Sequence, residues 1–368
     1  MDVAYSIKEV SNIDTPALVL YYDKIIENID RMISIAGDSD RLRPHVKTYK
    51  IAEVVKLMQS KGISKFKCAT IAEAEMLGMT EAEDVLLAYQ PIGPKIKRLI
   101  KLQKKYTKTT FSTLIDNPES AQEIANLCRA MNTTLSVYVD LNVGMNRTGI
   151  IPNEGAFDLY NICDKIEGIN PIGLHAYDGH IRNADIIERT KQCDAAFLPV
   201  ENLAARIKKI TGRQPYIVVG GTPTFSIHAN RKGVQLSPGT CVLWDYGYKT
   251  ILPEQKYVYG ALVLTRVVSQ LPDNQLCLDL GHKSIAAENP FPRVKFLNLP
   301  NAKEVFQSEE HLVISVPDTA LIPVGSILYG VPIHICPTCA LYERAIVVSD
   351  NIIIDEWKVV ARDRKITV

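Results

Sequence analysis

From Thr15 to about Phe225 the chain repeats one pattern, a short apolar run followed by an amphipathic stretch of helical period. That pattern builds parallel sheets, because each strand is returned to the same end of the sheet by a helix that also covers it. The spacing predicts strands at 17–22 (ALVLYY), 41–47 (RLRPHVK), 65–70 (KFKCAT), 85–89 (VLLAY), 109–115 (TTFSTLI), 135–141 (LSVYVDL), 171–177 (PIGLHAY) and 215–220 (PYIVVG). Eight such strands at this spacing predict a TIM (β/α)8 barrel. After Phe225 the runs TCVLWDYGY, YVYGALVLTRVV, QLCLDLG, HLVISV and AIVVSDNIIIDEW are separated by turns, which predicts a C-terminal mainly-β domain. The expected division is a barrel over 15–228 and a β-domain over 229–368 together with residues 1–14.

Lys and Arg total 42 against 41 for Asp and Glu, so no overall field recruits nucleic acid or an anionic membrane. The expected partner is a small molecule. The opening MDVAYSIKEVSNIDTPALVLYYD has neither the basic start nor the long apolar run of a secretory signal, and no stretch approaches the roughly 20 apolar residues of a membrane span. The expectation is a cytoplasmic protein. Six of the eight cysteines sit singly in apolar segments as small hydrophobes, and Cys336 and Cys339 alone are clustered.

Barrel strands are covered on both sides and normally read as nearly continuous Val, Ile and Leu. Three here do not. In 41–47, alternation puts Arg41, Arg43, His45 and Lys47 on one face, and a basic row inside a barrel requires an anion or a reactive partner. In 135–142 it groups Ser136, Tyr138, Asp140 and Asn142; in 171–177 it groups Gly173, His175 and Tyr177. Polar groups at the carboxyl ends of barrel strands are where such enzymes keep their chemistry, and a mutually hydrogen-bonded core set is the alternative. The last predicted strand runs into GGTPTF, where Gly220 and Gly221 allow close backbone approach and Thr222 adds a hydroxyl. Loops after the final strands are a common phosphate site. A lysine at a strand end and a phosphate nest suit a phosphate-bearing carbonyl cofactor held as a Schiff base, as pyridoxal phosphate requires. An aldolase forming a Schiff base with a sugar phosphate fits the same sketch.

DTPALVLYYDKIIENI, RPHVKTYK around Lys47, CATIAEAEML at 68–77, VDLNVGMNRTGI at 139–150, GLHAYDGH at 173–180 and GGTPTF together resemble the fold-type III pyridoxal phosphate enzymes, which pair an alanine-racemase-like barrel with a β-domain. Within that group PIHICPTCALY at 332–342 is similar to the metal-binding end of the D-threonine aldolase and D-serine dehydratase-like branch. The resemblance implies that Lys47 is the Schiff-base lysine, beside His45. It implies too that Arg147 neighbours the phenolic oxygen, Tyr177 lies near the pyridine nitrogen, and Gly220, Gly221 and Thr222 hold the phosphate. Arg147 is always charged and favours a phenolate.

In the C-terminal segment His334 and Cys336 alternate with Ile333 and Ile335, so an extended backbone would point both the same way. An imidazole with a thiolate suits Zn²⁺, with Mn²⁺ the other candidate, and two protein ligands leave room for water and substrate as in catalytic sites. Two other readings stand beside it: Cys336 and Cys339 have the redox-like spacing C-P-T-C, and H-x-C is also a buried His beside a buried Cys. Asp279, His282 and Lys283 in LDLGHKS match a turn of the family's β-domain that completes the other subunit's active site, which implies a two-fold homodimer. The implied activity is that of a lyase acting on a D-β-hydroxy-amino acid, D-threonine aldolase first and D-serine dehydratase second. His180 or zinc-bound hydroxide is the candidate base for the β-hydroxyl. An amino-acid racemase and a non-catalytic cofactor carrier are rivals; the metal pair counts against the first and the added β-domain against the second.

Overall fold

The computed structural model describes residues 5–368, and residues 1–4 of the segment assigned by sequence to the β-domain lie outside it. Two units divide the chain: Met32–Lys47, Val54–Gly239 and Asp363–Val368 form one, and residues 5–31, Thr48–Glu53 and Thr240–Arg362 the other.

The first unit is a TIM-like barrel. Seven parallel strands pair in sequence order: Lys65–Cys68, Asp84–Leu87, Thr110–Ile115, Leu135–Leu141, Ile169–Ala176, Tyr216–Val219 and Gln235–Leu236. The eighth position belongs to residues 42–45, which bridge Leu42 to Leu236 and His45 to Lys67 and so join the last strand to the first. Caps set the intervening helices. Thr70 accepts from Glu73 N at the start of Ile71–Met79, and Glu73 in return accepts from Ala69 N at 2.7 Å; Asn117 caps Pro118–Ala130 with proline in its first turn.

Two strand predictions need correction. The run at 17–22 is not in the barrel: Ala17–Tyr21 pairs antiparallel with Ala261–Leu271 and parallel with Arg344–Ser349. A fully apolar run is equally content in any sheet covered on both faces, so its composition does not say which sheet it joins. The barrel position it was given is taken instead by Gln235–Leu236, two residues too short to carry a period. The segment 41–47 is not a regular strand either, since short 3-10 turns at Ser39–Arg41 and Val46–Thr48 flank the bridging residues. Pro44 offers no N–H, yet the segment still makes ladder bonds through Arg43 N to Leu236 O, His45 N to Pro238 O and Lys67 N to Pro44 O, each 2.8 Å.

The second unit is built on a mixed sheet of nine strands among the described residues, running from Lys303–Gln307 through Leu312–Ser315, Gln275–Leu278, Ala261–Leu271, Ala17–Tyr21 and Arg344–Ser349 to Ile352–Lys358, with Val294–Phe296 and Ile327–Pro332 paired beside it. Its core joins Tyr5, Ile7, Val19, Tyr21, Leu262, Leu264, Tyr329 and Val348. Tyr21 donates its hydroxyl to Tyr5 O at 2.9 Å and packs edge-on to the Tyr5 ring, so the amino-terminal described residues are part of this core.

Candidate functional site

The barrel's polar strand faces converge as alternation requires. Tyr138 pairs in register with Gly173, and Asp140 with His175. A Cβ at Gly173 would lie 2.7 Å from the Tyr138 ring, so glycine there makes room for the tyrosine. Asp140 accepts from His175 Nδ1 (2.7 Å), Gln90 (2.8 Å) and Thr148 (2.9 Å). Burial would raise the Asp140 carboxyl, but the hydrogen bond and charge of His175, with Thr148 and Gln90, together hold it below its usual range. Burial, with Lys67 and Arg147 nearby, pulls His175 below its ordinary value despite Asp140. The imidazole is therefore neutral, donates from Nδ1, and turns Nε2 to Lys67 Nζ at 3.5 Å.

The basic row of 41–47 divides. Arg41 donates to the carbonyls of Ala36, Ala229 and Arg231, and Arg43 is fully buried in a two-bond pair with Asp84 (2.8 and 2.6 Å) plus Gln235 (2.7 Å). Asp84 is the anion for Arg43, and main-chain carbonyls satisfy Arg41 without one. Lys47 and His45 remain for chemistry: His45 Nδ1 accepts from Lys47 N at 3.2 Å, and Lys47 Nζ stands 5.7 Å from the Tyr177 ring centroid.

Two more cations surround that ring, Lys67 Nζ at 5.6 Å and the exposed Arg147 guanidinium at 5.1 Å. Lys67 was missed by sequence reasoning. Its signal was the alternation already applied to 41–47, because in KFKC the apolar Phe66 and Cys68 leave Lys67 on the other face. Burial first, then Lys47, pulls its amine down to about 7.

At the loop, Gly220 sits at φ +77°, and a Cβ on Gly221 would come within 2.9 Å of the Tyr177 ring. The backbone here lies directly against the tyrosine, which a side chain would prevent. Thr222 is buried, and its hydroxyl oxygen accepts from Gly239 N at 3.2 Å. The structure thus brings Lys47, His45, Arg147, Tyr177 and the glycine loop into one barrel unit. Two amines and the charged Arg147 guanidinium on one ring, with a glycine cradle, fit the charge and shape of pyridoxal phosphate, whose phosphate and phenolic oxygen are both anionic. His180 is exposed, with Nε2 placed where a Cβ on Gly144 would be 2.6 Å away.

In the second unit the expected extended run through 333–336 is corrected. The strand Ile327–Pro332 gives way to the helix Ile335–Leu341, with His334 as its extended N-cap (φ −136°) and Cys336 in the first turn. C-P-T-C therefore follows a strand at a helix start. His334 and Cys336 still meet. Burial would lower His334, but Cys336, then Glu288 and Asp245, lift it to about 9; burial would raise Cys336, but His334, Thr240 and Thr48 bring its thiol down. Thr48 Oγ1 and Thr240 Oγ1 lie 3.2 and 3.5 Å from the sulfur, and His334 Nδ1 is 2.5 Å from Glu288, a carboxylate–histidine pairing that leaves Nε2 for a ligand. A thiolate beside an imidazole oriented in this way fits a zinc-type cation. Burial lifts Asp245 to about 6 against the N–H groups of Tyr248 and Ile335. Cys339 is fully buried and its thiol is pushed well up by burial, as befits a packing residue. Asp279 accepts from Thr15 and Thr265 hydroxyls at 2.5 Å each and from Arg266 N at 2.7 Å, a fully engaged structural carboxylate; Lys283 pairs with Glu309 and Glu310, and His282 is exposed.

A further cluster was not foreseen in the sequence. Asp178, Cys193 and His228 in the barrel are buried and bring one ligand-type atom each within 4.8 Å of one another. They are scattered over fifty residues, so no spacing announces them. Among the described residues no helix is long and apolar enough to cross a membrane.

Comparison with known proteins agrees with this architecture. The model for the alanine racemase N-terminal domain matches residues 20–246, and a serine dehydratase domain model matches 260–348. The D-threonine aldolase of Arthrobacter sp is 26% identical, with 96% of this chain and 94% of that protein covered. The 3-hydroxy-D-aspartate aldolase of Paracoccus denitrificans is also 26% identical, covering 96% and 93%. The crystal structure of D-threonine aldolase from Filomicrobium marinum superposes with a TM-score of 0.89 at 25% identity, covering 96% of this chain and 97% of that one.

Proposed function

The chain belongs to the alanine racemase N-terminal domain family, and from that premise we propose that it is a pyridoxal phosphate-dependent lyase acting on a D-β-hydroxy-amino acid. Its reaction is proposed to be retro-aldol cleavage of the Cα–Cβ bond, with D-threonine giving glycine and acetaldehyde. The observation that carries the cofactor assignment is the set of Lys47, Lys67 and Arg147 around the Tyr177 ring, beside a glycine loop that lies against that ring. The relatives named as aldolases support the reaction class.

Pyridoxal phosphate, when bound, supplies the electron sink that a carbanion at Cα requires. Lys47 would hold it by the carbonyl, Gly220, Gly221 and Thr222 would take the phosphate, and Arg147 and the Tyr177 phenol would serve the phenolic oxygen and the pyridine nitrogen. A tyrosine there leaves the ring less electron-withdrawing than a carboxylate would. A divalent cation, Zn²⁺ or Mn²⁺, would be held by His334 and Cys336 and would supply Lewis acidity. His180 takes the β-hydroxyl proton. The working unit is proposed to be a homodimer.

A second reading, elimination of the β-hydroxyl to a keto acid and ammonia, is favoured by the serine dehydratase domain match over residues 260–348. Product analysis separates the two. Zinc-loaded protein is given D-threonine and D-serine, with the L-enantiomers as controls. Glycine and acetaldehyde from D-threonine establish the aldolase; 2-oxobutanoate, or pyruvate from D-serine, with ammonia refutes it in favour of the dehydratase.

A further inference from the structure

The buried cluster around Asp178 has the ligand types of a metal site, but its hydrogen bonds run otherwise. Arg231 donates from Nε to His228 Nδ1 at 3.1 Å, so the proton of a neutral imidazole sits on Nε2 and is given to Asp178 Oδ2 at 2.8 Å. A protonated Nε2 does not bind a cation. Burial holds the Cys193 thiol up at about 12, with Asp178 adding to the effect, so the sulfur is a protonated thiol rather than a thiolate. Arg231 also ion-pairs with Asp194 and lies 3.9 Å from that sulfur, placing a fixed positive charge beside the supposed site.

The other Asp178 oxygen leads to the glycine loop. Oδ1 accepts from Thr224 Oγ1 at 2.7 Å, and Thr224 Oγ1 accepts from Gly221 N at 3.3 Å. The His228 ring packs on Gly220, where a Cβ would stand 2.9 Å from its Cδ2, and meets Phe197 edge-on at 5.4 Å. Asp178, Thr224 and His228 are all buried to 2% exposure or less. Asp178 also directly follows Tyr177, the ring against which Gly221 lies. One carboxylate therefore fixes both the turn at 220–224 and the strand end that carries the tyrosine.

We propose that Asp178, Thr224 and His228 form a proton-satisfied clamp, not a metal site, whose role is to hold the phosphate loop and Tyr177 at the spacing that the cofactor's phosphate requires. The proposal rests on the pyridoxal phosphate reading above. These are positioning residues, because each acts through the loop or the tyrosine. An outer shell of this kind sets affinity by keeping backbone N–H groups aimed, so its loss weakens the phosphate-bearing ligand and spares one that makes no use of the loop.

The test titrates apo-protein with pyridoxal phosphate and with pyridoxal, read by the absorbance of the bound aldehyde, for wild type and for D178N, T224V, T224S and C193A. Apo-protein melting temperatures confirm folding. Asn at 178 turns its amide either to the His228 Nε2–H, where two donors meet, or to Thr224, whose hydroxyl must then accept instead of donate, so the carboxylate's pair of accepted bonds is lost in each orientation. D178N and T224V are expected to weaken pyridoxal phosphate roughly ten- to a hundred-fold, the usual range for outer-shell loss, with pyridoxal unchanged. T224S, which keeps the hydroxyl, restores wild-type affinity, and C193A leaves it unchanged. Should D178N fail to fold, T224V and T224S decide. Unchanged pyridoxal phosphate affinity in T224V, or equal losses for both aldehydes, overturns the clamp. A drop in C193A matching that of D178N, with stoichiometric zinc in wild type that C193A loses, overturns it in favour of a metal site. Wild type that binds neither aldehyde instead refutes the cofactor reading on which the clamp depends.

Discussion

Replacing Asp84 by Asn should destabilise the barrel while leaving cofactor binding intact. Arg43 has no exposed side-chain surface, and Asp84, at the amino end of its strand, is 30% exposed on its side chain. Burial alone would lower the Arg43 pKa, and it is the hydrogen bonds and charge of Asp84 that raise it. Removing one partner of a fully buried pair costs about 3–5 kcal/mol, whereas an exposed pair is worth at most about 1 kcal/mol. Asp84 lies between these limits, and Asn keeps one acceptor, so the expected loss is about 2–3 kcal/mol. In urea that corresponds to a fall in midpoint of about 1 M for slopes at the upper end of the common range. R43M in the D84N background removes the stranded charge, so the double variant should recover much of the loss. Urea denaturation of the four proteins, followed by circular dichroism, measures the cycle, and absorbance after gel filtration with pyridoxal phosphate measures retention. D84N that unfolds with wild type but no longer retains cofactor would refute the reasoning, because Arg43 would then be serving a ligand rather than the amino-terminal end of the barrel.

Lys67 gives a pH signature. Its amine is pulled down to about 7 from 10.5, so between those values the unfolded chain binds a proton that the folded chain does not, and stability from this group rises with pH. Apo K67M should therefore exceed wild type in stability most at pH 6, by an amount on the order of a few kcal/mol, and the advantage should shrink above pH 7; a pH-independent difference in denaturation midpoints would contradict this. H334A should lower bound zinc at least ten-fold, measured by elemental analysis, with the cofactor spectrum kept; unaltered metal content rules out the ligand pair. Valine at Gly221 should abolish pyridoxal phosphate retention, since a Cβ there meets the Tyr177 ring at 2.9 Å, and retained cofactor absorbance would exclude close approach of loop and ring.

Much of the barrel was legible because period-two alternation survives in strands that carry chemistry: Tyr138 and Asp140 were assigned to one face by spacing and Gly173 and His175 likewise, and register pairs Tyr138 with Gly173 and Asp140 with His175. What escaped was pairing. Nothing in ALVLY tells which sheet a fully apolar strand joins, and Gln235–Leu236 is too short to display a pattern. The same limit hid the partners of the basic row. Arg43 finds Asp84 forty-one residues on and Arg41 finds main-chain carbonyls, so a row that looked like a single anion receptor serves structure at one end and the candidate site at the other. Lys67 was legible and overlooked. Asp178, Cys193 and His228 were not legible, because tertiary folding alone assembles them.

The measurement closest to the central claim is borohydride reduction of the protein saturated with pyridoxal phosphate, followed by peptide mass spectrometry. Lys47 and Lys67 both stand within 6 Å of the Tyr177 ring centroid, at 5.7 and 5.6 Å, so the experiment chooses between two real amines. A reduced pyridoxyl adduct on the peptide containing Lys47, absent in K47A, is the predicted result. An adduct on Lys67 with Lys47 unmodified, or no adduct at all, would contradict the account.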